Sequence, residues 1–209
     1  MKFEDLRQRM KSRLFFRLED LRPSGVVRAH EPVQISQWVR AGKLYRLKKG
    51  VYTLGSDDRQ TESSALTIAE ALYRPSYLSL EWALSHYGLI PEAAGSMTSV
   101  STLKTAQFTN FLGTFIYRHV QPRYFFGYSI QRALTASPAS YALATREKAL
   151  MDFIYLVIPP AQALSADLFL KGYRLQNLES LRKARFHEYL RRFDDPRVQR
   201  GTRELLRLL

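Results

Sequence analysis

The side chains best suited to chemistry lie in a short amphipathic segment near the N-terminus. Val33, Gln37 and Arg40 recur at helical spacing on one side of the segment, and Gln34 lies at the edge of that side. A helix fits the major groove of DNA, where glutamine amides bond to adenine edges and valine contacts a thymine methyl group. The pattern therefore predicts a surface that reads DNA bases.

Basic residues on both sides of this segment are candidates for phosphate contacts. Arg46, Lys48 and Lys49 follow the segment, and Arg28 and His30 precede it. Contacts to phosphate supply much of the affinity for DNA but no direct sequence information. The alternative for the two adjacent lysines is a solvated turn without a ligand.

The elements that must position these residues are three helices and a hairpin. Apolar periodicity predicts helices over residues 2–14, 18–21 and 31–42. Two β-prone runs, 43–47 and 51–54, are joined by a basic turn that contains glycine, which is typical of a hairpin. This order predicts a winged helix-turn-helix, a fold that binds DNA and also serves to dock proteins.

Charge is distributed unevenly along the 209 residues. The chain has 32 Lys and Arg against 19 Asp and Glu, a net charge of +13. Residues 1–60 carry +7, residues 61–160 carry +1 and residues 161–209 carry +5. Basic ends favour nucleic acid as a partner. A polar stretch that begins at Gly55 suggests two domains, 1–56 and 57–209.

Several function classes are disfavoured by composition. The chain has no cysteine, which excludes disulfides, thiolate zinc sites, iron–sulfur clusters and thiol catalysis. The longest apolar run, 153–160, is much shorter than the roughly 20 residues of a membrane span. The four histidines lack metal-ligand spacing. We therefore expect a cytoplasmic protein without metal, cofactor, membrane contact or signal peptide.

The second domain is predicted to be mixed. Helices are expected over 61–73 and 79–87, with Ser79 as an N-cap, and Thr145 is expected to cap a buried helix. Runs rich in Thr, Val, Phe and Tyr predict short strands over 97–101, 106–110, 114–120 and 124–129. The expected fold class is α+β: the N-terminal winged helix-turn-helix, then a mixed α/β domain with a small, mostly antiparallel sheet and C-terminal helices.

One polar cluster accompanies the buried helix. Lys148 and Asp152 are one turn apart, and an internal ion pair is the favoured interpretation. With Glu147 they could also form a nuclease-type site, the less favoured alternative. The aromatic residues nearby are expected to pack in the sheet.

Two basic helices are predicted at the C-terminus, over 177–193 and from Asp194 onward. The second carries a stripe of four arginines. The stripe could contact DNA phosphates, RNA or an acidic partner, or could be a solvated face, and the sequence favours neither interpretation. Its members are Arg197, Arg200, Arg203 and Arg207.

Several segments together resemble AbiEi-type antitoxins, which belong to abortive-infection, type IV toxin–antitoxin systems of bacteria. Residues 38–52 (WVRAGKLYRLKKGVY) resemble the family's N-terminal winged helix. Residues 75–92 (PSYLSLEWALSHYGLIPE) and 144–152 (ATREKALMD) resemble its antitoxin domain. The resemblance covers about residues 1–158.

The resemblance implies a non-enzymatic antitoxin from a two-gene operon. Its toxin would be an AbiEii-like nucleotidyltransferase, and its winged helix would repress the operon by binding inverted repeats in double-stranded DNA. Type IV antitoxins are usually described as acting without a stable toxin complex; direct action on the toxin, or binding to it, is the alternative that the resemblance leaves open. The alternative is a stand-alone winged-helix transcriptional regulator whose second domain senses a ligand or binds a partner.

Overall fold

The computed structural model describes residues 1–21, 31–61, 64–132 and 140–209. The expected α+β class is confirmed, with helices and two separate β-sheets in this part of the chain. The predicted phosphate contacts Arg28 and His30 lie outside the described residues. Among the helices that are described, none is long and apolar enough to cross a membrane.

In its described part, the N-terminal region combines two α-helices with a three-stranded antiparallel sheet of order β1-β3-β2. The predicted hairpin is confirmed as β2 and β3, and its tip contains Gly50 with a φ of +80°, a conformation that costs glycine little. Its elements are α1 (Phe3–Met10), β1 (Phe16–Arg17), a 3₁₀ turn (Leu18–Leu21), α2 (Glu31–Arg40), β2 (Leu44–Lys48) and β3 (Val51–Leu54).

This region has its own small core. Leu6 and Met10 of α1 pack with Ile35 of α2 and with Leu44 and Leu54 of the sheet, and all five are buried. Helix α1 ends at residue 10 rather than at residue 14, and β1 follows it. Strand β1 was not predicted because its two residues are too few to show alternation.

The second region is built on a six-stranded mixed sheet within the described residues, of order β6-β7-β5-β4-β9-β8. The pairs β5–β7 and β4–β9 are parallel, and the other three pairs are antiparallel, so the sheet is larger and more mixed than the sequence predicted. Its strands are β4 (Ser76–Leu78), β5 (Met97–Ser101), β6 (Ala106–Asn110), β7 (Gly113–His119), β8 (Tyr128–Arg132) and β9 (Ser140–Ala144).

Helices pack around this sheet and complete the main core. Thr145 caps α5 as predicted, because its Oγ1 accepts a hydrogen bond from the Lys148 N–H at 3.3 Å. The prediction of a single helix over 177–193 is wrong, because only Lys183–Leu190 within this range is α-helical. The helices are α3 (Ala65–Leu72), α4 (Leu80–His86), α5 (Arg146–Leu156), α6 (Lys183–Leu190) and α7 (Pro196–Leu208).

The β2–β3 hairpin is attached to the second region. Leu47 and Val51 are buried in the main core rather than in the N-terminal one. Asn110 Nδ2 donates a hydrogen bond to the Leu47 carbonyl at 3.0 Å, and the rings of Tyr45 and Phe111 lie 4.9 Å apart. The two regions are therefore joined by packing as well as by the chain.

Candidate nucleic-acid interface

Helix α2 presents one exposed face. The side chain of Ile35 is buried in the N-terminal core, whereas Val33 is 59% exposed and Gln37 and Arg40 are also exposed. An isoleucine, a leucine or a phenylalanine at such positions would indicate a packed face, but an amide and a guanidinium are suited to hydrogen bonding in a groove. The structure thus places three of the four predicted base contacts together.

Gln34 is the exception on this helix. Its side chain is partly buried, and Nε2 donates a hydrogen bond to the Met1 carbonyl at 3.4 Å. It therefore lies towards the N-terminus of the chain rather than on the exposed face. The sequence had placed it at the edge of that face.

The hairpin provides two exposed basic residues. Arg46 and Lys49 both reach solvent. Arg17, on the neighbouring strand β1, pairs with Val51 in register and is also exposed. The sequence did not single out Arg17, because β1 itself was not predicted. These three cations are the candidates for phosphate contacts at the sheet.

Lys48 departs from its predicted position at the exposed hairpin tip. A bulge lies between Arg46 and Lys48, and the Lys48 ammonium donates to the Leu72 carbonyl at the end of α3. It also lies 5.8 Å from the ring centroid of Tyr73 and 5.2 Å from that of Phe108. Burial, with a smaller effect from nearby Arg17, lowers the pKa of Lys48. Lys48 therefore holds the hairpin to the second region.

The C-terminal arginine stripe is also divided by the structure. Arg197 is engaged inside the protein, because its guanidinium donates to the carbonyls of Ile154 (2.9 Å), Ile158 (2.6 Å) and Pro159 (2.6 Å). These carbonyls lie at or just beyond the C-terminal end of α5, where a cation is stabilising. The expectation that Arg197 contacts a phosphate is replaced by this capping role.

The other three arginines of the stripe remain on the surface. Arg200, Arg203 and Arg207 are exposed, and the opposite side of α7 is buried through Val198 and Leu205. Two of them have partners on their own helix, since Arg203 donates to the Gln199 amide oxygen at 3.0 Å and Arg207 pairs with Glu204. These exposed cations are available to an acidic partner.

Lys148 and Asp152 form a polar network that is fully buried. The Lys148 ammonium contacts Asp152 Oδ1, and the other carboxylate oxygen accepts hydrogen bonds from Ser79 at 2.9 Å and Tyr77 at 3.0 Å. Ser79 occupies the N-cap position of α4 as predicted, but its side chain makes no capping hydrogen bond, and its hydroxyl donates to this carboxylate. Burial lowers the pKa of Lys148, and the adjacent carboxylate opposes that shift.

This geometry does not favour the nuclease alternative. Both members of the pair have no exposed surface, and Glu147 is 2% exposed. In the described ranges, no group of three or more His, Asp or Glu residues is placed to hold a metal ion. The network is therefore arranged as an internal brace between α5 and β4.

Comparison with known proteins adds no assignment to these observations. The chain matches no protein-family model and no curated protein.

Proposed function

We propose that the protein is a DNA-binding antitoxin that represses its own operon and neutralises an AbiEii-like nucleotidyltransferase toxin. The observation that carries the DNA-binding half is the exposed face of α2, formed by Val33, Gln37 and Arg40 above a buried Ile35. The antitoxin half rests on the resemblance of the second region to the AbiEi family.

The arrangement around α2 supports a winged helix-turn-helix. Helices α1 and α2 share one core with a three-stranded antiparallel sheet, and the hairpin follows α2 directly. In this fold a helix enters the major groove and the flanking elements contact the backbone. Arg46, Lys49 and Arg17 are the exposed cations that would meet phosphates.

A mobility-shift titration on the promoter DNA of the protein's own operon tests the DNA-binding half. Gln37→Ala should weaken operator binding by about 1–3 kcal/mol and leave binding to unrelated DNA nearly unchanged. Lys49→Ala should weaken binding to all DNA and reduce the slope of log affinity against log salt by about one.

Lys171→Ala is the matched control for loss of one surface lysine. Lys171 is 77% exposed and lies in the second region, away from α2 in sequence. It should change neither the affinity nor the salt slope. If Gln37→Ala, Arg40→Ala and Lys49→Ala all bind the operator as the unchanged protein does, the proposed interface is wrong.

Co-expression with the neighbouring gene tests the antitoxin half. The neighbour's product should arrest growth when induced alone, and this protein should relieve the arrest. The Gln37→Ala/Lys49→Ala protein, expressed from an inducible promoter, should still relieve it, because neutralisation is assigned to the second region. Arrest that persists in the presence of the unchanged protein would refute the antitoxin half.

A stand-alone transcriptional regulator is the second candidate. A cavity lined by polar and charged side chains of the second region favours it, because a ligand bound there could be the signal that a regulator senses. The two candidates differ in their genetic context: the regulator requires no toxin beside its gene. A neighbouring gene whose product is harmless when induced alone would favour the regulator.

A further inference from the structure

A cavity of about 290 Å³ lies where five elements of the second region meet. It is lined by the C-terminal end of α4, by strands β8 and β9, and by the residues that begin α5 and α6. Its volume is close to the lower limit of about 300 Å³ for small-molecule sites. The cavity therefore suits a compact ligand rather than a macromolecule.

Three arginines line this cavity: Arg146, Arg182 and Arg185. Within the described residues, neither Arg146 nor Arg182 has a carboxylate within ion-pair distance of its guanidinium. Arg146 lies over the ring of Tyr87, 4.7 Å from its centroid. Two guanidinium groups are thus left without an anion at the wall of one cavity.

Among the described residues, a single acidic one, Glu147, also lines the cavity, and its carboxylate is already engaged. Glu147 Oε1 accepts a hydrogen bond from the backbone N–H of Arg182 at 2.9 Å, and Glu147 Oε2 lies 4.0 Å from Arg185 Nη1. Its side chain is 3% exposed. The lining therefore keeps a net positive charge after this pair is counted.

Two helices begin at the same cavity. Thr145 and Arg182 are the N-cap residues of α5 and α6, and both line it. The first N–H groups of a helix have no partner within the helix, and the helix dipole adds positive potential at that end. Helix starts and arginine side chains together form a common arrangement for binding phosphate.

We propose that this cavity is a binding site for a phosphate ester of nucleotide size. A phosphate group carries several acceptor oxygens, which match the planar guanidinium groups of Arg146, Arg182 and Arg185. Gln131 and Tyr141 line the cavity from β8 and β9 and supply polar contacts for the rest of the ligand.

The electrostatics of His86 support a positive site. His86 lines the cavity, and burial, together with the charge of Arg146, lowers its pKa. The shift favours the neutral imidazole, which can donate or accept a hydrogen bond. The site shares no residue with the α2 face, so it does not rest on the proposed DNA-binding antitoxin function; the regulator candidate draws on the same cavity.

Isothermal titration of the full chain, without DNA, tests this site. The probes are inorganic phosphate, pyrophosphate, nucleoside mono-, di- and triphosphates, and adenosine as the uncharged comparison. We expect saturable binding of one or more nucleotides and none of adenosine. Arg182→Gln should weaken that binding about tenfold or more, because it removes a charge-assisted hydrogen bond.

Arg191→Gln is the matched control, since Arg191 is exposed and directly follows α6 at the end opposite Arg182. It should change the affinity by less than about twofold, a small fraction of one charged hydrogen bond. Arg182 is exposed, and thermal melting of each variant checks that the fold is retained. Arg182→Lys keeps the charge without the planar fork and should bind with intermediate affinity.

Three results would overturn the proposal. The first is the absence of saturable binding for every phosphate probe. The second is equal weakening by Arg182→Gln and Arg191→Gln, which would indicate a general effect of charge. The third is binding of inorganic phosphate as tight as that of any nucleotide, which would refute the nucleotide-sized ligand.

Discussion

Removing the charge of Asp152 should expose how strongly the buried network depends on pairing. In Asp152→Asn the amide keeps an oxygen that can accept from Ser79 or Tyr77, whose hydroxyls lie 2.9 and 3.0 Å from the native carboxylate. The Lys148 ammonium, however, loses its only carboxylate within the described residues and remains without solvent exposure. The substitution therefore isolates the charge while it preserves size.

The expected cost follows from that burial. Breaking a fully buried ion pair from one side destabilises a protein by about 3–5 kcal/mol. Lys148→Met should cost a similar amount, because it leaves the carboxylate unpaired. In the Lys148→Met/Asp152→Asn double variant both charges are gone, and the asparagine amide oxygen still accepts a hydrogen bond from a hydroxyl. Its cost should be smaller than the sum of the single costs by about 2 kcal/mol or more, a coupling within the range for contacting residues.

Urea unfolding at pH 7, followed by circular dichroism and linear extrapolation, measures the cycle. The exposed pair Asp167–Lys171 has the same i,i+4 spacing and a 3.0 Å contact, but its side chains are 75% and 77% exposed. Asp167→Asn should cost less than about 0.5 kcal/mol. Single buried variants that cost below about 1 kcal/mol, or costs that add without coupling, would refute the reasoning.

Three further outcomes are expected. Lys48→Met should lower the free energy of unfolding by about 1 kcal/mol and leave the salt dependence of DNA binding unchanged; a reduced salt slope would contradict this. Arg146→Gln should raise the pKa of His86, measured by NMR titration, because it removes a nearby positive charge, but not fully to its ordinary value, because burial remains. An unchanged pKa would contradict an effect of the Arg146 charge on His86. Gly127→Ala should lower the free energy of unfolding by about 1–3 kcal/mol more than Gly42→Ala does, although the two glycines have similar φ angles of +74° and +70°. The reason is that a methyl group at residue 127 would lie 3.0 Å from the side chain of the buried Lys148, whereas one at residue 42 meets no atom within 4 Å. Equal urea midpoints for the two variants would contradict this.

Features with a local sequence signal were predictable. The exposed face of α2 follows from the spacing of Val33, Gln37 and Arg40 alone. The start of α7 follows from Asp195 before a proline, and its side chain accepts the N–H groups of Arg197 and Val198 as such caps do. Strands β5, β6 and β7 were found because their composition favours strands, and Gly113 marks the turn between β6 and β7.

Features that depend on distant contacts were not predictable. Strand β4 has three residues, and β9 is rich in alanine, so neither shows a strand pattern, although both lie in the middle of the sheet. The direction of Lys48 depends on a bulge and on the end of α3. Arg197 matches the arginine stripe in spacing, yet the end of α5 takes its guanidinium.

The arginine cavity illustrates the same limit. Its arginines come from the start of α5 and from the segment that begins α6, about 36–39 positions apart in the chain. No spacing rule links them, because the approach of α6 to α5 is a tertiary contact. The sequence had placed Arg182 and Arg185 on one face of a long basic helix, and nothing in that pattern indicated that Arg146 would lie beside them.

The attachment of the hairpin gives the N-terminal region two points of fixation. At one point Leu47 and Val51 pack in the core of the second region. At the other, Asp58 Oδ1 lies 3.3 Å from Arg7 Nη1 of α1, and the Gln60 N–H donates to the Lys11 carbonyl at 2.7 Å. A fragment cut after residue 56 would lose both and expose apolar surface. Helix α2 and the second region thus keep a constant relative orientation, so that a partner bound to the second region would lie at a fixed position relative to the exposed face of α2.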